Sequence, residues 1–417
     1  MRCCFLMVLA ILTFFSYGQD LNSIYKESIE AHKSKDYTKF VALNKEALNL
    51  HPSQPTFLYN LATGYSLTDS LENTYQILKK LLSWNNKIDY QKDADFNNLL
   101  LSNRYTQSLD SLVNYYGQVK GVGYDFALFK GKRHLEDLVL LDSLLFATDV
   151  YHGELLKYNT KKNEVVVVKE FDLPVLALAS KPDSYSVWVS TAKIHQSKKK
   201  GIPSNTPEIV EIDALKGKLK SRVPLDDDFV AGSMVFDKDD NLYISNSSKS
   251  EIIIIDTKTN TIKQKLPVDD GFNLQGITID LDRNILYVAD YIKGVAKVDI
   301  ANDYQITWFQ SDSFLLKGID GLAHVKGNKL LAIQNNSSPK RVIQLSVNGS
   351  AIETVRLLDN NLNTTSEPTN GKYYEKLGFL YIANSSWPHY NKNGEAIFEK
   401  WEEQKVLQIR TDTFLDQ

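Results

Sequence analysis

The chain has 417 residues, and its 48 Lys and Arg residues nearly balance its 51 Asp and Glu residues, which gives a net charge of −3. So mild a balance argues against nucleic acid as the main partner, because nucleic-acid-binding surfaces carry an excess of positive charge. Both cysteines, Cys3 and Cys4, lie at the very start of the sequence. The remainder of the chain therefore has no disulfide, no thiol nucleophile and no thiolate metal site.

The first residues predict an export signal. Arg2 precedes the apolar run CCFLMVLAILTFFSYG, in which the small residues Ser16 and Gly18 come just before Gln19. A basic end, an apolar stretch of about a dozen residues and a small-residue cleavage site are typical of secretory signals. The run is too short to span a membrane comfortably. We expect residues 1–18 to be cleaved between Gly18 and Gln19, leaving a periplasmic or extracellular chain with no transmembrane segment.

Residues 20–116 have helical periodicity and resemble tetratricopeptide repeats. Two units begin at Leu21 and Pro55, 34 residues apart, and a further helical stretch at 93–116 is expected to cap them. The resemblance implies either a groove that binds a protein or peptide, or a module that packs against the rest of the chain. Consensus positions of the repeat are held by Tyr37, Ala47, Leu48 and Pro52 in the first unit and by Leu61, Ala62, Tyr65 and Leu81 in the second.

Residues 121–412 contain six copies of one β pattern, as in GSMVFDKDDNLYISN at 232–246 and GITIDLDRNILYVAD at 276–290. The copies are 42, 55, 44, 44 and 50 residues apart, and a four-stranded propeller blade needs roughly 40–50 residues. We therefore predict a mainly β chain, with a six-bladed β-propeller over 121–412 that follows an α-helical domain over 20–116. The equivalent positions used for this spacing are Phe146, Trp188, Tyr243, Tyr287, Leu331 and Tyr381.

Two further segments fit the propeller prediction. The longest step contains a Lys- and Pro-containing insertion at 192–207, which predicts an exposed loop, with a basic binding patch as the alternative. The segment GVGYDFALF at 121–129 is extra β sequence before the first copy. We predict that it forms the outer strand of the last blade, near 406–414, and closes the ring.

An acidic turn in the fourth copy has the spacing of a calcium-binding loop. Asp280, Asp282 and Asn284 alternate, but a helix–loop–helix calcium loop also requires glycine at its sixth position and glutamate at its twelfth. Ile285 and Tyr291 occupy those positions. The pattern therefore predicts a turn between two strands rather than a metal loop.

The starts of the inner strands supply the candidate site. Inner strands of a propeller converge on a central channel, so polar residues at their starts point toward a common axis. These residues are Glu136, Asp137, Gln275, Asp320 and Glu367. Carboxylate and amide oxygens suit a hard divalent cation such as Ca²⁺. The alternative is that these acids are structural and bond backbone amides in turns.

Three of the copies resemble the regucalcin/gluconolactonase and paraoxonase group of six-bladed propellers. They read HLEDLVLLDSLLFATD, LQGITIDLDRNILYVAD and GIDGLAHVKGNKLLAIQN. The resemblance implies that Glu136, Gln275 and Asp320 hold a catalytic divalent metal and that Asp137 lies near a structural calcium. Gln275 stands where the group has asparagine. Where the group has another asparagine, one blade earlier, this chain has Ala231 and Gly232.

Other polar and aromatic residues are candidates for the same channel. His134 lies two residues before Glu136, so on a regular strand the two side chains share a face, and His134 is a candidate base for a metal-bound water. His324 follows Asp320 by four residues and is a candidate for the same reason. Both are also compatible with packing roles. Asn384 and Trp387, in YIANSSWPHY together with Ser385 and Tyr390, are candidates to line a sugar or lactone pocket, or to plug the fold.

Two functions of different classes follow. The first is an exported, Ca²⁺-dependent lactonase or esterase-like propeller that acts on a small lactone or ester. The second is a non-catalytic propeller that, with its helical domain, binds a protein or an envelope glycan. The sequence contains no nucleophile-elbow motif, no phosphate-binding glycine loop and no paired-histidine zinc helix, so other hydrolytic chemistries are less well supported.

Overall fold

The structure of the chain, a computed structural model, describes residues 21–181, 184–199 and 205–415. The predicted signal at 1–18 and its cleavage point lie outside the described residues. No helix in the described part is both long enough and apolar enough to cross a membrane.

The N-terminal segment is helical, as predicted. Its first two hairpins begin at Leu21 and Pro55, which reproduces the 34-residue spacing of the sequence. Asp36 caps the second helix by accepting a hydrogen bond from the Lys39 amide at 3.0 Å, and Pro55 stands in the first turn of the third. Membership in the tetratricopeptide class stays a prediction. The helices are α1 (Leu21–Lys33), α2 (Tyr37–Leu50), α3 (Pro55–Leu67), α4 (Leu71–Trp84), α5 (Asn97–Leu100) and α6 (Asn103–Gly117).

Six four-stranded antiparallel sheets follow, and this confirms the six-bladed propeller. The strand before the first blade is β1 (Tyr124–Phe129). Blade one is β2 (Leu135–Leu141), β3 (Leu144–Asp149), β4 (Glu154–Asn159) and β5 (Glu164–Glu170); blade two is β6 (Val175–Ser180), β7 (Ser186–Thr191), β8 (Glu208–Asp213) and β9 (Leu219–Pro224); blade three is β10 (Ala231–Phe236), β11 (Asn241–Asn246), β12 (Glu251–Asp256) and β13 (Thr261–Pro267).

The second half of the ring repeats this order. Blade four is β14 (Leu274–Asp280), β15 (Ile285–Asp290), β16 (Gly294–Asp299) and β17 (Gln305–Trp308); blade five is β18 (Ile319–Lys326), β19 (Lys329–Gln334), β20 (Arg341–Asn348) and β21 (Ala351–Asn360); blade six is β22 (Gly371–Tyr374), β23 (Gly378–Ile382), β24 (Gln404–Ile409) and the returning β1. Neighbouring inner strands contact one another in sequence, and β22 contacts β2, which completes the circle.

The ring closes as predicted, with a small shift in register. β1 is the outer strand of blade six and pairs antiparallel with β24, with Tyr124 opposite Gln408 and Phe129 opposite Gln404. The predicted partner segment was 406–414. Pairing stops earlier because β24 ends at Ile409 and a short helix, α7 (Asp412–Leu415), buries Phe414 in the core between blades five and six.

The core consists of apolar side chains between neighbouring blades. The six positions that defined the repeat all lie on second strands and are at most 2% exposed. The acidic turn of blade four is a turn, as predicted, since Asp280 accepts hydrogen bonds from the amides of Asp282 and Arg283 at 3.0 and 3.1 Å.

Five inner strands share an irregularity that shapes the channel. In β2, β6, β10, β14 and β18 the pairing with the second strand loses register immediately after the first residue. Such bulges bend a strand and redirect its side chains. The second residue of each inner strand is therefore freed from regular alternation. These residues are Glu136, Leu176, Gly232, Gln275 and Asp320.

Ring closure can be tested on β1 itself. Phe129 is fully buried between blades six and one, with its ring 5.4 Å from that of Tyr158, whereas Tyr124 on the same strand is 57% exposed. We expect Phe129→Ala to lower the free energy of unfolding by about 3–5 kcal/mol in urea denaturation. Tyr124→Ala is the matched control and should change it little. Equal, small effects of both variants would show that β1 does not close the ring.

Candidate functional site

A cavity of about 310 Å³ lies at the end of the channel where the inner strands begin. Four of its lining residues are the second residues of inner strands, and three more directly follow second strands. Further residues come from loops between blades and from loops within blades two and six. The first set is Glu136, Leu176, Gln275 and Asp320, the second is Ser247, Tyr291 and Asn335, and the loops add Ile194, Val230, Asn273, Glu367 and Trp387.

Five residues proposed from the sequence meet at this cavity. Glu136, Gln275 and Asp320 reach it from blades one, four and five, although 139 and 45 residues separate them along the chain. Glu367, in the loop before β22, and Trp387, in the loop after β23, reach it from blade six. The convergence follows from the shared register of the blades.

The two central carboxylates each have one neutral side-chain donor. Trp387 donates its Nε1–H to Oε2 of Glu136 at 2.6 Å. Asn335 donates its Nδ2–H to Oδ2 of Asp320 at 2.6 Å and accepts a hydrogen bond from the Tyr291 hydroxyl at 2.9 Å. These contacts fix one oxygen of each acid and leave the second for another ligand.

Gln275 presents an amide to the same cavity. Its Nε2 donates to Oδ1 of Asn273 at 2.6 Å, so within the described residues its Oε1 has no protein donor. Gly232, one blade earlier, cannot carry a side chain here. A Cβ atom on it would lie 2.7 Å from the Leu274 carbonyl oxygen, because β14 passes too close. An asparagine at position 232 is thus excluded by backbone packing.

The electrostatics of the acid pair are unfavourable in the absence of a cation. Burial raises the pKa of Glu136 well above its usual value, and the charge of Asp320 raises it further. Burial likewise raises the pKa of Asp320 to about 7. No Lys, Arg or His is among the described residues that line the cavity, and the nearby Lys340 ammonium pairs with the third lining acid, Glu367. At neutral pH the pair therefore has to take up either a proton or a cation.

Other acids in the propeller have a structural role, as the alternative interpretation proposed. Asp290 accepts hydrogen bonds from four backbone amides, those of residues 272, 273, 292 and 293, at 2.6–2.9 Å. Asp149, at the same place in blade one, bonds the amides of His134 and His152 and pairs with Arg133. The cavity pair lacks this full set of donors.

Asp137 lies outside the cavity lining. It accepts hydrogen bonds from the amides of Leu138 and Leu178 at 2.8 Å each, and the Lys372 ammonium is 3.4 Å from its Oδ2. The same ammonium donates to Ser233 Oγ at 3.1 Å. A lysine of blade six thus sits beside Asp137, where the family resemblance implied a calcium ion.

The two candidate histidines do not reach the cavity. His134 is buried, its Nδ1 lies 2.7 Å from the Tyr390 hydroxyl, and its ring packs edge-on against Trp387. Burial lowers its pKa to about 3, so the ring is neutral. His324 bonds the Gly327 carbonyl and faces Asp280 at the far end of β18. The bulges break the strand alternation that would have placed them beside Glu136 and Asp320.

Asn384 has a backbone-capping role rather than a cavity position. Its Nδ2 donates to the Glu403 carbonyl at 2.9 Å, and its Oδ1 accepts from the Lys405 amide at 2.7 Å. Sequence reasoning also missed Tyr291 and Asn335. Together with Ser247 they are the first residues after the second strands of three successive blades, so the repeat register itself could have identified them.

No established protein family matches the sequence, and no curated protein matches it significantly. Solved structures do match. The structure of U3-55K is 11% identical and covers 68% of this chain and 98% of its own, with a TM-score of 0.50. The PQQ-bound aldose sugar dehydrogenase of Streptomyces coelicolor is 12% identical (70% and 98% covered, TM-score 0.47), and virginiamycin B lyase of Staphylococcus aureus is 12% identical (69% and 98% covered, TM-score 0.45).

At these identities the likeness shows the fold alone. The chain is thus a six-bladed β-propeller preceded by a helical segment, with a central cavity lined by acids.

The Asp137–Lys372 pair gives a prediction of stability. Removing one partner of a buried ion pair leaves an uncompensated charge, so we expect Lys372→Met to lower the free energy of unfolding by about 3–5 kcal/mol. Chemical denaturation at neutral pH measures this change. Lys376→Met, at an exposed position of the same hairpin, is the control and should have little effect. A fully stable Lys372→Met protein would mean that Asp137 does not depend on this ammonium.

The acid pair predicts how stability depends on pH in chelator-treated protein. Both carboxyl groups have raised pKa values in the folded state, so between about pH 4 and pH 7 the folded chain binds more protons than the unfolded chain. Their contribution to stability must therefore fall as pH rises through this range. Urea unfolding between pH 5 and pH 8 should show a shallower fall for Glu136→Gln than for the unchanged chain. If stability fell equally steeply with pH in both proteins, Glu136 would not be electrostatically coupled to Asp320.

Proposed function

We propose that this chain holds one divalent cation, Ca²⁺ by the nature of the ligands, between Glu136 and Asp320 and uses it to hydrolyse a small lactone or ester. One observation carries the proposal. Two buried carboxylates face the same cavity, and no cationic side chain of the described residues lines it.

A cation offsets the cost of this arrangement. Like charges that are buried together resist joint ionisation. Other acids of the propeller are paired with lysine, arginine or backbone amides, and this includes Glu367 of the cavity lining, which pairs with Lys340. No group of three or more acidic, His or Cys side chains gathers as a metal site among the described residues. The proposed ligand set is instead two carboxylates, the Gln275 amide oxygen and water, within the six to eight oxygens that Ca²⁺ accepts.

The surrounding residues suit a carbonyl substrate. A cation bound here would polarise the carbonyl and stabilise the oxyanion that forms on attack by water. Trp387 and Asn335 hold Glu136 and Asp320 in place through their 2.6 Å hydrogen bonds. Leu176 and Val230 form an apolar wall that excludes bulk water from one side. The proposed periplasmic or extracellular location supports Ca²⁺, since this ion is abundant outside cells.

Metal binding is tested by calorimetry of chelator-stripped protein with Ca²⁺. We expect one site per chain, loss of most of the affinity in Glu136→Gln because a charged ligand is removed, and retained binding in Gln275→Asn, which keeps the amide. Asp282→Asn removes a fully exposed acid of the blade-four turn and should leave binding unchanged. Absence of heat in the unchanged chain would overturn the metal site.

Turnover is tested separately with a panel of aldonolactones and aryl esters. We expect hydrolysis that is lost with chelator, restored by Ca²⁺ and strongly reduced in Glu136→Gln. Ca²⁺ binding without hydrolysis of any member would contradict the enzyme and favour the other function, a propeller that binds a protein or an envelope glycan together with its helical segment.

A further inference from the structure

The helical segment packs on two loops of blade five that lie next to Asp320 and Asn335. Leu315, in the loop before β18, inserts among the helix residues Leu81 and Leu82 in the core of the helical segment. Its amide donates to Ser83 Oγ at 2.8 Å. Asp320 follows only five residues later, so α4 holds the chain immediately before one of the proposed cation ligands.

A second loop of the same blade is held by the next residue of α4. Trp84 donates its Nε1–H to the Asn336 carbonyl and accepts a hydrogen bond from the Ser338 amide at 2.9 Å. The Asn86 amide donates to the Ser338 carbonyl at 3.0 Å. Asn335, adjacent to this turn, is the residue that bonds Asp320. The loop that leads into β18 and the loop that contains Asn335 are therefore fixed by the same end of one helix.

A buried arginine joins the two loops to the helix. Arg341 is fully buried, donates its Nε–H to Gln334 Oε1 at 2.8 Å and donates from Nη2 to the Ser83 carbonyl. Gln334 in turn donates to the carbonyls of Leu315 and Lys317 at 2.9 and 2.6 Å. One network thus runs from α4 through the start of β20 to residues that shortly precede Asp320 and Asn335.

We infer that the helical segment is a positioning part of the cation site, because Ser83 and Trp84 fix the two blade-five loops that present Asp320 and Asn335 to the cavity. The inference rests on the proposed function for its metal readout. A segment that served only to stabilise or solubilise the propeller would not need to bond both of these loops. Blade one, which supplies the other acid, is held independently by Trp387.

The test uses the full chain with Ser83→Ala and Trp84→Phe. The first removes the hydroxyl that bonds Leu315, and the second removes only the indole donor while keeping an aromatic ring. We expect Ca²⁺ affinity, measured by calorimetry well below the unfolding temperature, to fall by about tenfold in each, as is usual when groups that orient metal ligands are lost. Ser111→Ala, at an exposed position on α6, and Trp308→Phe, in blade four, are the matched controls and should bind like the unchanged chain.

Hydrogen exchange provides a readout that does not depend on metal. In metal-free protein, amides at 315–322 and 334–338 should exchange faster in Ser83→Ala and Trp84→Phe, while those of β2 beside Glu136 stay protected. Unchanged exchange at these loops, or unchanged Ca²⁺ affinity in both variants, would overturn the inference. If the unchanged chain binds no Ca²⁺, the proposed function fails by itself, and the exchange data alone decide whether the helices position Asp320 and Asn335.

Discussion

The bulge at the start of the inner strands is the feature on which the site depends. A regular strand alternates its side chains between two faces, and in a propeller both faces of an inner strand are covered by neighbouring blades. Loss of register after the first residue frees the second residue from that alternation. Glu136, Gln275 and Asp320 therefore meet at one cavity even though their strands belong to three different sheets.

The same constraint separates the acids of the propeller into two kinds. Asp149 and Asp290 end second strands, where loop amides donate hydrogen bonds to them. Glu136 and Asp320 occupy bulged positions, where the neighbouring amides point elsewhere and each acid has a single indole or amide donor. The same blade repeat thus places acids at two kinds of position. At one kind the protein supplies several hydrogen-bond donors to the carboxylate, and at the other it supplies only one.

Much of this arrangement could be predicted from the sequence because it follows from local periodicity. The spacing of the β copies predicted six blades and the convergence of Glu136, Gln275 and Asp320. The 34-residue spacing of the N-terminal units predicted the start of the first two helical hairpins. The position of His134 could not be predicted in this way, since it precedes β2 and the bulge interrupts the alternation on which the reasoning relied. Lys372 lies beside Asp137 only because the ring brings blade six next to blade one, a contact between residues 235 positions apart.

The contacts that attach the helices to blade five likewise could not be predicted from local sequence patterns. Ser83 and Trp84 have no sequence signal that distinguishes them from other residues at the end of a helix. Arg341 likewise resembles any polar residue at the start of a third strand. Their roles arise from contacts across more than 230 residues, in which a buried guanidinium takes carbonyl and amide oxygens in place of a carboxylate. Such pairings depend on the packed tertiary structure rather than on the periodicity of either segment.

Anomalous diffraction from crystals grown with Mn²⁺ or Ca²⁺ tests the central claim most directly, namely that the acid pair holds a cation. The account predicts one peak in the channel cavity, at about 2.0–2.6 Å from an oxygen of Glu136 and an oxygen of Asp320, with the Gln275 amide oxygen and water completing the shell. A cavity that contains only water at saturating metal, with Glu136 and Asp320 close enough to share a proton, would contradict it.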